Sequence, residues 1–124
     1  MAARPPYVFM SYKHEPNTTG LTEQFKTVRE KYGPFDVSML EIGQWHPAWG
    51  SIHLGPKGAL EAHAMLGATH LVPIHWATFR LAPHPWSEPV ERMLRAAAAE
   101  GVAVATPRPG QLVSAAVNDA WWRD

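Results

Sequence analysis

The chain has 124 residues, which fits one compact domain and leaves little room for a second. Lys plus Arg and Asp plus Glu each number 11, so formal charge gives no case for a nucleic-acid or anionic-membrane partner. The absence of cysteine excludes disulfides, thiolate metal sites and a cysteine nucleophile. No apolar run approaches the length of a membrane span and the first residues carry no secretory h-region, so we expect a cytoplasmic protein.

The first part of the chain predicts a strand, a helix and a second strand. The short aromatic run Tyr7–Met10 is typical of a strand. After the turn residues Thr18–Gly20, apolar side chains recur at helical spacing up to Tyr32, and Gly33-Pro34 ends that helix. Residues Phe35–Leu40 predict the second strand.

The middle of the chain begins with a long loop. Residues 41–54 are rich in Gly, Pro, Trp and His, a composition typical of a functional loop. A second helix opens at Gly55-Pro56 and ends at Gly67. The stretch Thr69–Ile74 is almost continuously apolar and predicts a strand buried on both faces.

The last part of the chain starts with a second loop, over residues 75–85. A third helix follows between the N-cap residue Ser87 and Gly101. Two short strands, Val102–Val104 and Gln111–Val113, complete the pattern, which does not account for Trp121 and Trp122.

This order, β-α-β-α-β-α-β-β, predicts a single α/β domain over residues 1–124 with a mostly parallel or mixed sheet. In such sheets the functional site lies at the loops that follow the carboxyl ends of the strands. The histidines and carboxylates in those loops are His14, Glu15, Glu41, His46, His53, His75 and His84.

His75 and His53 are the histidines best placed for chemistry. His75 directly follows a predicted strand, as a metal ligand or general base often does, but it could equally pack against Trp76 with its ring bonded to backbone. His53 precedes a helix start, where phosphate contact or acid–base work is feasible, but it could also be a solvent-facing loop residue.

The other histidines have simpler interpretations. His46 and His84 lie beside prolines and are typical of turns, while His63 and His70 fall within predicted elements and are most simply structural. Glu41 ends a strand at the same edge and is either a site carboxylate or an ordinary surface residue. No local metal-binding motif, serine-nucleophile elbow or phosphate-binding glycine loop is present.

Five short segments occur together and in order, and they carry a family resemblance. They are Gly33–Val37, Leu40–Gly43, His53–Pro56, Glu61–His63 and Ile74–Phe79. The series resembles the C-terminal half of metallo-β-lactamase-fold hydrolases, in the branch of N-acyl-phosphatidylethanolamine phospholipase D and the ascorbate-6-phosphate lactonases. The resemblance covers the chain from about Tyr7 to Val113.

The resemblance implies half of an αββα sandwich, with helices on one face of the sheet and the N-terminal metal-binding half absent. It implies that His75 is a metal ligand and His53 a catalytic residue near substrate, with zinc or another divalent metal activating water. Thr18 stands where the family has its bridging aspartate. His14 and Glu15, just upstream, are the candidate replacement ligands.

Two functions of different classes follow. One is a metal-dependent hydrolase acting on a small-molecule ester or phosphate, of the phosphodiester or lactone type, incomplete or inactive as an isolated chain. The other is a non-catalytic binding module or a truncated remnant of the fold. Half a sandwich leaves one apolar sheet face without its partner, which predicts a homodimer through that face.

Overall fold

A computed structural model of the chain describes residues 7–9, 18–49, 52–113 and 119–124. Its strands are β1 (Tyr7–Phe9), β2 (Val37–Glu41), β3 (His70–Ile74) and β4 (Ala103–Val104). Its helices are α1 (Thr18–Tyr32), α2 (Gly55–Leu66) and α3 (Glu88–Glu100). Short 3₁₀ turns form at Pro47–Trp49 and Trp121–Arg123. No helix within these ranges is long and apolar enough to cross a membrane.

The four strands form one parallel sheet in the order β1-β2-β3-β4. Each pair of neighbours is connected through one helix, and α2 packs against both α1 and α3. The helices therefore form one layer beside the sheet, which agrees with the α/β half-sandwich that the resemblance implied.

The core lies between the sheet and this helical layer. On β2 the buried residues Ser38 and Leu40 alternate with half-buried Val37, Met39 and Glu41. Leu40 joins a cluster of buried side chains from both layers. Among its other members are Phe25, Leu60, Leu66, Leu71, Met93 and Val104. The helices thus cover one face of the sheet, and the half-buried residues of β2 lie on the other.

Helix ends follow the sequence signals closely. Gly67 and Gly101 adopt left-handed φ angles of 66° and 68° directly after α2 and α3, as C-terminal glycines do. Ser87 precedes α3 as predicted, although its side chain makes no capping hydrogen bond.

Two local predictions were wrong. Residues Thr18–Gly20, expected as a turn, form the first turn of α1, which begins three residues before the apolar spacing that starts at Leu21. Residues 111–113 form no strand. The Gln111 N–H donates to the Arg108 carbonyl and its side chain accepts the Arg108 N–H, so the chain closes a turn there instead.

Strand β3 contains a proline although it has a neighbour on each side. The N–H of His70 donates to Asp36, on the β2 side, whereas the carbonyl of Leu71 accepts the N–H of Ala105, on the β4 side. Because the backbone groups of successive residues in a strand point to opposite sides, the nitrogen of Pro73 lies on the β4 side. Pairing of β3 with β4 is confined to His70 and Leu71, before this proline.

Candidate active site at the carboxyl edge of the sheet

The carboxyl end of β2 holds a hydrogen-bonded carboxylate–imidazole pair. His53 Nδ1 donates to Glu41 Oε2 at 2.9 Å, and Glu41 Oε1 accepts the backbone N–H of Leu54 at 3.1 Å. The Glu41 side chain is 16% exposed and that of His53 26%. The carboxylate therefore fixes the orientation of the imidazole and leaves Nε2 as the ring nitrogen for other partners.

His75 lies beside this pair because β2 and β3 are adjacent and parallel. Glu41 is in register with Ile74, so His75 begins the loop at the same point of the sheet edge. The rings of His53 and His75 have centroids 5.0 Å apart. One ligand atom from each of Glu41, His53 and His75 lies within 4.8 Å of the other two.

The donor set of this triad suits a divalent metal. Imidazole nitrogens and carboxylate oxygens are the usual ligands of zinc and related ions. Both oxygens of Glu41 already accept hydrogen bonds, however, so this residue fits better as the carboxylate that orients His53. His53 and His75 then offer one nitrogen each, whereas a catalytic zinc takes three protein ligands.

The loop after β2 shapes the loop that carries His75. A Cβ at Gly43 would overlap the carbonyl oxygen of His75, so only glycine permits this approach. The buried side chain of Gln44 spans the far end of the same loop. Its Nε2 donates to the Phe79 carbonyl at 2.7 Å, and its Oε1 accepts the Leu81 N–H at 3.1 Å.

A cluster of tryptophans packs behind His75. The Nε1 of Trp76 donates to the Pro73 carbonyl at 2.9 Å. The Trp76 ring lies 5.4 Å from that of Trp121 and 5.3 Å, edge-on, from that of Trp122. Trp122 is buried in the core. The two tryptophans that the sequence pattern left unexplained therefore support the loop after β3.

Glu91 of α3 fastens this C-terminal turn. Its carboxylate accepts Trp122 Nε1 at 2.8 Å and both Nε and Nη2 of Arg123, at 2.7 and 2.8 Å. Hydrogen bonds from Arg123 and then Trp122 lower the pKa of Glu91 to about 2.

A cavity of about 340 Å³ opens beside His75. Its walls come from residues 72–78, residues 106–111 and the ring of Trp121. Strand β4 no longer pairs with β3 at this level, so the two stretches of chain stand apart. A small molecule bound there would contact His75 directly.

Sequence reasoning identified His53 and His75, and the structure brings these two together. His14 and Glu15, the other predicted ligands, lie outside the described residues. His63 is buried and hydrogen-bonded to Ser38, with 2.8 Å between Nδ1 and Oγ. Burial is the main cause that lowers the pKa of His63, and the nearby His70 lowers it further. His84 is buried, and its ring stacks on that of Trp45.

Three residues of the site's surroundings were missed or undervalued. Glu41 was left open between a site role and the surface, and only its contact with His53 decides its place. Gln44 and Glu91 gave no signal, because their partners lie 31 to 37 residues away in the sequence.

Known proteins are similar to this chain in sequence and in fold. The profile of the β-lactamase superfamily domain matches residues 14–76, just over half of the chain. The chain belongs to this superfamily. It is similar in structure to a metallo hydrolase of the archaeon Ignicoccus hospitalis, with a TM-score of 0.53 and 27% identity over 73% of this chain and 34% of that one. The metallo-β-lactamase resemblance and the fold it implied are thereby confirmed.

Two relatives match this chain over only a part of their own length. An uncharacterised protein of Mycobacterium tuberculosis is 49% identical over 111 residues, covering 85% of this chain. An N-acyl-phosphatidylethanolamine-hydrolyzing phospholipase D of Caenorhabditis elegans is 39% identical over 67 residues, covering 52%. The chain spans only 30% of the mycobacterial protein and 19% of the nematode enzyme.

Proposed function

We propose that this chain is the C-terminal part of a metal-dependent hydrolase and contributes one wall of its active site. The observation that carries the proposal is the convergence of Glu41, His53 and His75 at the carboxyl edge of the sheet, with ligand atoms within 4.8 Å of one another. The metallo hydrolase of Ignicoccus hospitalis, similar in fold, supports the same reaction class.

We assign His75 as a metal ligand, since its ring lies exposed at the strand end. A divalent ion, zinc in the first instance, would supply Lewis acidity and an activated water when bound. His53 serves as the catalytic acid or base. Glu41 holds its Nδ1 proton and stabilises the ring when it becomes positively charged, while Nε2 exchanges a proton with substrate.

The remaining ligands come from outside the described residues. His14 and Glu15 are two candidates, and an N-terminal metal-binding half of a longer protein is the other source. The short coverage of the mycobacterial relative, 30%, supports that second source. In either case we infer that His75 alone holds a metal only weakly.

The substrate class we propose is a phosphodiester or a lactone of a small molecule. The relative named as a phospholipase D, matching half of this chain, supports the phosphodiester. The cavity beside His75 is large enough to receive part of such a molecule.

Elemental analysis of untagged chain purified without chelator tests the proposal, followed by titration with Zn²⁺. We expect binding that His75→Ala abolishes and that His46→Ala, a half-buried loop histidine 3.2 Å from the Ala48 N–H, leaves unchanged. Equal binding by wild type and His75→Ala would refute the assignment. If the wild-type chain binds Zn²⁺ and His75→Ala does not, phosphodiester and lactone hydrolysis are assayed with the His53→Ala variant as control.

A second candidate is a non-catalytic module that dimerises through the open face of the sheet. The half-buried side chains of β2 opposite the helices, Val37 and Met39, favour it. A second copy packed on this face would restore two facing sheets. Sedimentation velocity at micromolar concentration decides the matter, because a monodisperse monomer contradicts the dimer.

A further inference from the structure

The loop that presents His75 has an unfavourable backbone. His75 and Ala77 adopt φ angles of 62° and 57°, in the left-handed region that residues other than glycine rarely occupy. Such conformations persist where surrounding contacts hold them. Trp76 lies between these two residues, so its side chain is the natural point at which the fold can fix both.

Trp76 is held from two directions. Its Nε1 donates to the Pro73 carbonyl three residues earlier, which closes the start of the loop. Its ring packs on Trp121 and edge-on against Trp122, at centroid distances of 5.4 and 5.3 Å. We call the turn Trp121–Arg123 the C-terminal brace.

The carboxylate of Glu91 joins the C-terminal brace to α3. Glu91 binds Trp122 Nε1 and takes the Arg123 guanidinium with two hydrogen bonds of 2.7 and 2.8 Å. Two-point binding between guanidinium and carboxylate sets orientation as well as distance. Trp121 Nε1, which donates to the Thr106 carbonyl at 3.1 Å, adds a second attachment at the other end.

We propose that Glu91 is a positioning residue that holds His75 in its left-handed conformation, through the C-terminal brace and Trp76. The proposal rests on the proposed function only in that His75 is taken as a metal ligand. The path runs through contiguous contacts, from Glu91 to Trp122 and Arg123, from Trp122 to Trp76, and from Trp76 to its neighbour His75.

Glu91→Gln is the test variant and Glu88→Gln is its matched control. Glu88 lies one turn earlier on α3 and pairs with Arg92 at 2.7 Å, the same distance as Glu91 with Arg123. Both glutamate side chains are 25% exposed. Glutamine at 91 still accepts Trp122 Nε1 but loses the charged two-point contact, so only the brace is loosened.

Hydrogen exchange of the metal-free chain, followed by NMR, gives the first readout. We expect Glu91→Gln to accelerate exchange of the Trp76 indole N–H about tenfold and to shift the His75 backbone amide resonance, while Glu88→Gln does neither. A drop in thermal stability in Glu91→Gln with both signals unchanged would reduce Glu91 to a structural role and overturn the proposal.

Co²⁺ binding followed by visible absorption gives the second readout. We expect about tenfold weaker affinity in Glu91→Gln and wild-type affinity in Glu88→Gln, the size usual for residues that support a metal ligand. If the wild-type chain binds no Co²⁺, this chain alone does not hold a metal, and the NMR signals of His75 and Trp76 decide the positioning role.

A second pair of variants covers the case in which Glu91→Gln fails to fold. Arg123 is 59% exposed, so replacing it cannot open a hole in the core. Arg123→Gln should reproduce the faster exchange, and Arg123→Lys, which keeps the charge, should restore part of the protection. Equal protection of the Trp76 indole N–H in wild type, Arg123→Gln and Arg123→Lys would contradict the proposal.

Discussion

Glu41 connects three parts of the molecule, because it ends β2, orients His53 and accepts the N–H of Leu54 at the start of α2. Replacing it by glutamine removes the charge from two partly buried hydrogen bonds. We expect Glu41→Gln to lower the free energy of unfolding by about 1.5–3 kcal/mol, as loss of hydrogen bonds to a charged group does. Urea denaturation measures this change.

Glu61→Gln is the control for that substitution. Glu61 is 58% exposed and lies 3.8 Å from Lys57, so its loss should change unfolding by less than about 0.5 kcal/mol. Equal effects of the two variants would mean that the Glu41 contacts contribute nothing beyond a surface charge.

Gly43 makes the close approach of the two site loops possible. An alanine there would push its Cβ into the His75 carbonyl, so Gly43→Ala should cost about 1–3 kcal/mol and disturb the His75 resonances. Gly58→Ala makes the matched comparison, since a Cβ inside α2 would meet Leu54 at an ordinary 3.4 Å. That variant should gain about 0.5–1 kcal/mol in thermal or urea unfolding.

His63 predicts a pH dependence of stability. Burial lowers its pKa in the folded chain, so the unfolded chain binds the proton more readily. Stability from the neutral ring is complete above the unfolded pKa, about 6.5, and declines as the pH falls below it. We expect the urea midpoint of the wild-type chain to fall between pH 7 and pH 5. The slope of this midpoint against pH should be flatter in His63→Gln. An unchanged slope in that variant would show that the pH dependence does not come from His63.

Single residues were predictable where the site depends on strand ends. His53 and His75 were candidates from their places beside a helix start and a strand end, and the roles proposed for them came from the family resemblance. The contacts of Gln44 and Glu91 did not follow, because each depends on a backbone or side-chain partner more than 30 residues away. Side-chain chemistry without distances cannot identify such partners.

At the level of elements, the ion pair between Glu91 of α3 and Arg123 of the C-terminal brace makes stability depend on pH in the acid range. Arg123 and Trp122 lower the pKa of Glu91 from 4.5 to about 2. Stability from this depressed carboxyl is fully present above pH 4.5 and is lost as the pH falls toward 2. We expect the melting temperatures of wild type and Glu91→Gln to differ at pH 7 and to converge near pH 2. A constant difference across this range would contradict the ionic origin of this dependence.

Helices and inner strands were predicted well because periodicity and end signals agree in them. Gly67 and Gly101 end α2 and α3 as expected, and β2 and β3 lie within a residue or two of their predicted bounds. The predicted strand Gln111–Val113 failed because its apolar residues are only two, and a local turn at Arg108 satisfies the backbone instead. Short terminal runs carry too little pattern to outweigh such a turn.

At the scale of the whole molecule, five short segments in register were enough to indicate the superfamily, and the profile match and similar structure agree. The sheet order and the layer of helices follow from right-handed connections between parallel strands. The oligomeric state does not follow from the residues, since the sheet face opposite the helices, half-buried along β2 in the described part of the chain, accepts either another copy or the rest of a longer chain.

The dimer proposed as the second candidate predicts a specific response at Met39, which lies half-buried on the sheet face opposite the helices. Met39→Asp would place a charge in the apolar interface and should shift the chain to monomer in sedimentation velocity. Lys57→Asp, whose side chain is 92% exposed on α2, should leave the assembly unchanged. Dimers that persist in Met39→Asp would show that another surface joins the copies.

Pro73 has a consequence for the shape of the molecule beside His75. The next rung of the ladder between β3 and β4 would require an amide hydrogen at this position, and an imino acid has none. Strands β3 and β4 therefore separate after Leu71, and the 340 Å³ cavity occupies the gap between the two segments. Because the missing amide hydrogen is a property of the chain itself, the cleft beside His75 is formed without any ligand.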